Sequence, residues 1–273
     1  MAIDATARIA DGARIGAGVE VGPYCVLGPH VELKDGVRLV GHVNITGATT
    51  IGEATVVHPF ASFGTSPQSV HYRGESTQLV IGALCEVREG VTMNIGTKAG
   101  GGITRVGDRC FFMVGSHVAH DCNVGDDVTF ANNAVLGGHV HVGSGAFIGG
   151  NAAIHQLVHI GEGAMVGGVS GVTGNLVPFG FAKGQIAALA GLNVVGLRRR
   201  GVTRATLHRL RKAYQWLFFG DGVFADRVDR VAGEFADDPL VRNIVAFVRA
   251  GGKRPLMRPN VKRGVEDKEG DAS

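Results

Sequence analysis

The sequence predicts a mostly β chain: a parallel β-helix of hexapeptide repeats followed by a smaller C-terminal α-helical domain. Three observations predict it: an apolar residue at every sixth position, an excess of glycine, and a change to helical spacing near residue 203. Glycine supplies 44 of the 273 residues, more than twice the usual share of about 7%. Aromatic residues are only 6%, with a single Trp, so the core must be built from aliphatic and small side chains. The glycines follow no period of three and Pro numbers only 8, which excludes collagen. Hydrophobic content of 45% with a net charge of +3 excludes a disordered chain.

From Ile3, steps of six land on Ile9, Ile15, Val21, Leu27 and onward to Phe63 without a miss, eleven hexads in all. The register breaks over 64–78 and returns at Ile81, Val87 and Met93. It breaks again over 94–105, then runs through twelve hexads from Val106 to Val172. A helix needs a period near 3.6 and a sheet of long strands a period of two. Six fits neither; it describes a short strand with one inward side chain, then a turn. Glycine often follows the apolar position, as at Gly16, Gly22, Gly52 and Gly143, where a tight turn is expected to favour a residue lacking Cβ. Three hexads make one coil, so residues eighteen apart stack, and the repeats amount to about nine coils. The β-helix is expected to occupy 1–192. Its two breaks, GTSPQSVHYRGESTQ and NIGTKAGGGITR, are polar insertions leaving a rigid stack and are candidate functional loops.

Beyond it, 193–251 reads as the helical domain. Leu207, Leu210, Tyr214, Leu217 and Phe218 fall at helical spacing, with Thr203 as N-cap. Two further amphipathic helices are expected over 222–236 and 239–250. The stretch 252–273 is polar with mixed charge and is expected to fray.

The near-neutral balance gives no reason to expect nucleic acid as a partner. No run of 18 apolar residues is present, so no membrane span is expected, and the N-terminus lacks the basic start and apolar run of a signal peptide. Cys25, Cys85, Cys110 and Cys122 form no CxxC pair and are expected as buried thiols of a cytoplasmic protein.

Six of the eleven histidines cluster as His117, His120, His139, His141, His155 and His159. Stacking at eighteen residues puts His120, Gly138 and Gln156 in one column and Asp121 beneath His139. A base, an orienting carboxylate and an unshielded backbone N–H are the parts that acyl transfer needs. Imidazole suits the base, because its pKa near about 6.5 lets it take a proton at neutrality. Two other readings apply to the same residues. Histidines on a β-helix surface are often solvated turn residues, and some hexapeptide β-helices bind zinc through three histidines at subunit boundaries. The spacing of His117, His120 and His139 does not look like that zinc pattern, which leaves a zinc-binding β-helix as the lesser alternative. Gln68, His71 and Tyr72 on the first insertion are candidate contacts for a polar substrate, although a plain solvated loop explains them equally well. GLRRRG at 196–201 is either a solvated turn or a phosphate clamp between the two domains.

The segments VGPYCVLGPH, HVAHDCNVG, ANNAVLGGHV, IGGNAAIHQ and GLNVVGLRRRG, in this order, resemble the family of acyl-(acyl-carrier-protein)–UDP-N-acetylglucosamine O-acyltransferases. The resemblance covers nearly the whole chain. It implies a left-handed β-helix, the exception to right-handed crossovers, and a homotrimer with sites between neighbouring prisms. It implies acyl carrier protein as donor, UDP-N-acetylglucosamine as acceptor, and no cofactor. His120 would be the general base, Asp121 its orienting partner, and the Gly138 N–H the oxyanion donor. His117, His139, His155 and Gln156 match positions lining the sugar and acyl groove, and Asn193, Arg199 and Arg200 match the part that holds the nucleotide diphosphate. The chain departs from the family pattern at Ser69 and His71, where an Asp and a Lys are usual. It departs again at Val195, in place of a Glu on the nucleotide, and at Ile186, in place of a His that caps the acyl chain. These departures point to an altered acyl-length preference and leave the 3-amino analogue of the sugar as an alternative acceptor. An N-acyltransferase of the same pathway, a coenzyme A-dependent acetyltransferase and a catalytically silent hexapeptide scaffold are the remaining readings.

Overall fold

The computed structural model describes residues 2–260. Each hexad is a strand of two to four residues, and the strands from Ala2–Ile3 to Gly171–Val172 coil into a three-faced prism. Every third strand joins the same sheet. The first face begins with Ala2–Ile3, the second with Arg8–Ile9 and the third with Arg14–Ile15, and they hold eleven, nine and eight strands. Pairing along the coils is parallel, with partners eighteen apart in uninterrupted coils, such as Val21 with Leu39 and Val118 with Leu136. Across the insertions the offset grows, and Ile81 pairs with Val106.

The inward residue of each hexad forms the core. Leu27, Leu33, Leu39, Ile45 and Ile51 are all 1% exposed or less, and each such side chain contributes about 1.5–3 kcal/mol through burial. Phe112 and Phe130 stack inside the prism with centroids 4.8 Å apart. Ile3 is 45% exposed because the first coil has no coil beneath it. All four cysteines are buried and free.

The glycines after the apolar positions have a different reason from the one expected. Gly22 does not carry the turn; a Cβ there would run into the backbone oxygen of Val40 in the next coil. The left-handed turn residue comes two positions later and is usually not glycine: Tyr24, His42 and Phe60 all have φ between 51° and 67°.

The insertions are shorter than the breaks in register. Strands Ser62–Thr65 and Gln78–Ile81 bracket the first, leaving 66–77. Strands Thr92–Asn94 and Ile103–Val106 bracket the second, leaving 95–102 with a 3-10 turn at Lys98–Gly100. Both leave the second face and re-enter on the third, so they project from one edge of the prism.

The last part of the expected β-helix is not coiled: Gly180–Lys183 and Ala188–Leu192 form an antiparallel hairpin on the first face. The arginine run, expected as a junction turn, lies on and just after a short helix, α1, Val194–Arg199, capped by the Asn193 side chain. Then come α2, Arg204–Phe219, with Thr203 as N-cap, α3, Phe224–Glu234, and α4, Pro239–Ala250. Asp238 accepts from the N–H groups of Leu240 and Val241, and Pro239 occupies the first turn of α4, where its missing N–H costs nothing. The segment after α4 is not frayed through 258. Leu256 bridges Asn175, Met257 is buried, and the Leu189 N–H donates to the Arg258 carbonyl. The rest of the expected tail, 261–273, lies outside the described residues. Among the described residues no helix is long and apolar enough to cross a membrane.

Candidate active site

The histidine cluster occupies the same edge as the two insertions. His120 and Asp121 turn the chain from His117–Val118 on the second face to Asn123–Val124 on the third. One coil on, Gly138 and His139 do the same, and His155 and Gln156 follow one coil further. The stacking expected from eighteen-residue spacing holds: the His139 N–H donates to the His120 carbonyl at 3.0 Å, and the Leu157 N–H to that of Gly138 at 3.0 Å. Asp121 and His139 both sit in the left-handed region, φ 59° and 61°. Asp tolerates this conformation better than most residues, and the Asp121 N–H is held by the Thr104 hydroxyl oxygen at 2.8 Å.

The Asp121 side chain is 0% exposed. Its Oδ2 accepts from His120 Nδ1 at 2.8 Å, which leaves Nε2 as the free ring nitrogen. Thr97 from the second insertion donates its N–H to Oδ1 at 2.7 Å and its hydroxyl to Oδ2 at 2.6 Å. The His120 ring lies where a Gly138 side chain would be: a Cβ there would stand 2.5 Å from His120 Cε1 and 2.7 Å from Nε2. Gly138 is buried, and its N–H has no acceptor among the described residues. His139 meets the His120 ring edge-on at 5.1 Å, its Nε2 3.6 Å from Asp121 Oδ2. Burial pushes the His139 imidazole below its ordinary pKa, partly offset by the Asp121 charge. His117 bonds the Thr92 hydroxyl at 2.8 Å, and burial lowers its pKa as well. The edge therefore carries an oriented imidazole and an unspent backbone N–H side by side.

One atom each from His120, Asp121 and His139 lie within 4.8 Å of one another, the spacing of a metal site. Both Asp121 oxygens, however, are already engaged by Thr97 and His120, so this donor set fits an orienting carboxylate better than a ligand.

A curated relative from Azorhizobium caulinodans, an acyl-(acyl-carrier-protein)–UDP-N-acetylglucosamine O-acyltransferase, is 57% identical over 267 residues, 98% of each chain. The chain belongs to this O-acyltransferase family. A family model described as UDP N-acetylglucosamine O-acyltransferase, domain 2, matches residues 176–257, and one for six bacterial transferase hexapeptide repeats matches 103–138. A relative of the same description from Caulobacter vibrioides is 55% identical over 76% of this chain and 79% of its own. The crystal structure of UDP-N-acetylglucosamine O-acyltransferase from Moraxella catarrhalis superposes with a TM-score of 0.92 at 36% identity, covering 94% of this chain and 100% of that one. The prism is accordingly the left-handed β-helix of the O-acyltransferase family.

Not every candidate site residue joins the histidine cluster. Gln68 and His71 project from the same edge but are exposed on the first insertion. Asn193, Arg199 and Arg200 lie elsewhere. The Asn193 amide donates to the Gly163 carbonyl at 3.0 Å and Arg200 to that of Gly145 at 2.6 Å. Gly145 and Gly163 form the edge between the third and first faces, a whole face away from His120. Arg199 is exposed on α1. Among the departures from the O-acyltransferase pattern, Ile186 is 85% exposed at the tip of the hairpin and Val195 is 58% exposed on α1.

Two residues at the edge escaped the sequence reading. Thr97 was legible only as part of a polar insertion. Arg254 returns from beyond α4, donating Nε to the Gln156 carbonyl at 2.9 Å and Nη2 to His155 Nδ1 at 2.6 Å. No local motif marks a partner 98 residues away; the family model reaching residue 257 is the signal that includes it.

Proposed function

We propose that the chain transfers a 3-hydroxyacyl chain from acyl carrier protein to the 3-hydroxyl of the glucosamine in UDP-N-acetylglucosamine, the first step of lipid A biosynthesis. The observation that carries this reading is the free Nε2 of His120, oriented by buried Asp121 and set against the unspent Gly138 N–H. Nε2 removes the hydroxyl proton as that oxygen attacks the thioester carbonyl carbon. The carbonyl oxygen takes up the negative charge and the Gly138 N–H receives it. The carbon–sulfur bond then breaks and the departing sulfur takes the proton from the imidazolium, giving the ester and the free carrier thiol. Asp121 stays a carboxylate throughout and stabilises the imidazolium between the two proton transfers.

His117, His139, His155 and Gln156 line the groove for sugar and acyl chain. Asn193, Arg199 and Arg200 hold the diphosphate bound at a neighbouring copy's histidine edge. Their position a full face from His120 supports a homotrimer in which each site draws on two chains. The enzyme works in the cytoplasm. The exposed apolar Ile186 favours an acyl-length preference set differently from that of members with a polar cap. Ser69 and His71 on the first insertion favour, as a second reading, the 3-amino analogue of the sugar as acceptor.

Isothermal titration tests the acceptor: UDP-N-acetylglucosamine binds and UDP alone binds more weakly. Absence of any heat with UDP-N-acetylglucosamine, with binding of the amino analogue, would transfer the assignment to the second reading. Sedimentation equilibrium at the mass of one chain would remove the shared site.

A further inference from the structure

The groups that orient His120 do not all belong to the prism. Asp121 is held from the far side by Thr97, which sits on the second insertion as N-cap of the turn Lys98–Gly100. The Gly100 N–H donates to Thr97 Oγ1 at 3.1 Å. That bond uses the hydroxyl as an acceptor, and a carboxylate can only accept, so the Thr97 hydroxyl proton must point at Asp121 Oδ2. The same oxygen receives His120 Nδ1. With Thr97 donating through N–H and O–H, and His120 through Nδ1–H, the carboxylate has one arrangement in which every donor is satisfied. Gly100 tightens it, because a Cβ at that position would collide with the Asp121 carboxyl group. The contact therefore depends on an insertion residue with a hydroxyl and, three residues on, one with no side chain.

We propose that Thr97 is a positioning residue for acyl transfer, fixing the Asp121 carboxylate and through it the tautomer and ring orientation of His120. The proposal rests on His120 acting as the base. It assigns the second insertion a role inside the chemistry, separate from any contact with substrate.

The test uses full-length Thr97→Val, which keeps shape and N–H but removes the O–H donor, and Thr97→Ser, which restores that donor. Steady-state acyl transfer is measured with UDP-N-acetylglucosamine and 3-hydroxyacyl carrier protein, beside the nitrogen-15 spectrum of the histidine rings. Loss of one hydrogen bond to a charged group lowers kcat by about tenfold in the valine variant. KM for the sugar nucleotide stays unchanged, and serine recovers most of the rate. In the spectrum the His120 Nδ1–H signal is present in wild type and serine variant and is displaced or broadened in the valine variant. Full kcat in Thr97→Val with an unchanged His120 signal overturns the proposal. So does a serine variant as impaired as the valine one, which would make the threonine methyl and loop shape responsible. If the wild type transfers nothing to this acceptor, the functional reading fails while the ring signal still decides the role of Thr97.

Discussion

Replacing Gly138 with alanine tests whether the position of the His120 ring, and not merely its presence, sets the rate. An alanine Cβ would stand 2.5 Å from His120 Cε1, whereas ordinary contact begins at 3.4 Å, so the ring must retreat about 0.9 Å. The hydrogen bond to Asp121 at 2.8 Å resists that retreat, and the ring leaves its aligned position in order to make it. A misplacement of about 1 Å at a reacting group costs roughly a hundredfold in rate, or about 2.7 kcal/mol of barrier. The Gly138 N–H survives the substitution, so a loss of rate in a folded variant reports the displaced His120 ring and not a missing N–H. The assay is kcat/KM for acyl transfer from 3-hydroxyacyl carrier protein, with far-ultraviolet circular dichroism to check the coils. A folded Gly138→Ala variant within about threefold of wild type would refute the reasoning.

Other expectations follow from the prism and its edges. Gly22→Ala places a Cβ on the Val40 carbonyl oxygen, and the forced separation of coils should cost about 3 kcal/mol, read as a lower Tm. A Tm equal to wild type would mean that the coils can part without penalty. Burial lowers the imidazole pKa of His117, His139, His141 and His159 below 6.5. As pH falls below about 6.5 the unfolded chain therefore binds protons first, and stability present above that pH is lost as pH falls on through the lowered native values. Replacing His141 and His159 with Gln should flatten this fall in Tm; an unaltered slope would remove these two from the account. Met257→Ala should cost about 2 kcal/mol in urea unfolding, because the side chain is buried against the domain. No change would return the segment after α4 to the frayed state expected from its composition.

The coils were legible because each one repeats a single physical requirement, one inward aliphatic residue per six, and that requirement survives in the sequence without reference to distant partners. The stacking of His120 with Gly138, and of Asp121 with His139, followed from the same arithmetic. What the period cannot carry is contact between unlike segments. Thr97 reaches Asp121 from an insertion that has no register, and Arg254 reaches His155 from beyond four helices. The hairpin Gly180–Lys183 with Ala188–Leu192 was missed because the apolar run that precedes α1 has no period of six. The glycines were identified correctly but for the wrong reason: their constraint is the neighbouring coil at Val40, which local turn chemistry does not reveal. Arg200 was legible as a cation beside the last coil, but its placement on the Gly145 carbonyl, a whole face away from His120, needed the fold.

The central claim is that His120 is the base of an acyl transfer onto a UDP-sugar. The direct measurement mixes purified protein with UDP-N-acetylglucosamine and a panel of 3-hydroxyacyl carrier proteins and reads the products by mass spectrometry, with His120→Ala alongside. The account predicts one acyl mass added to the sugar nucleotide by the wild type, strongest for one chain length, and lost in the variant. A His120→Ala protein that forms the same product at the wild-type rate would contradict it.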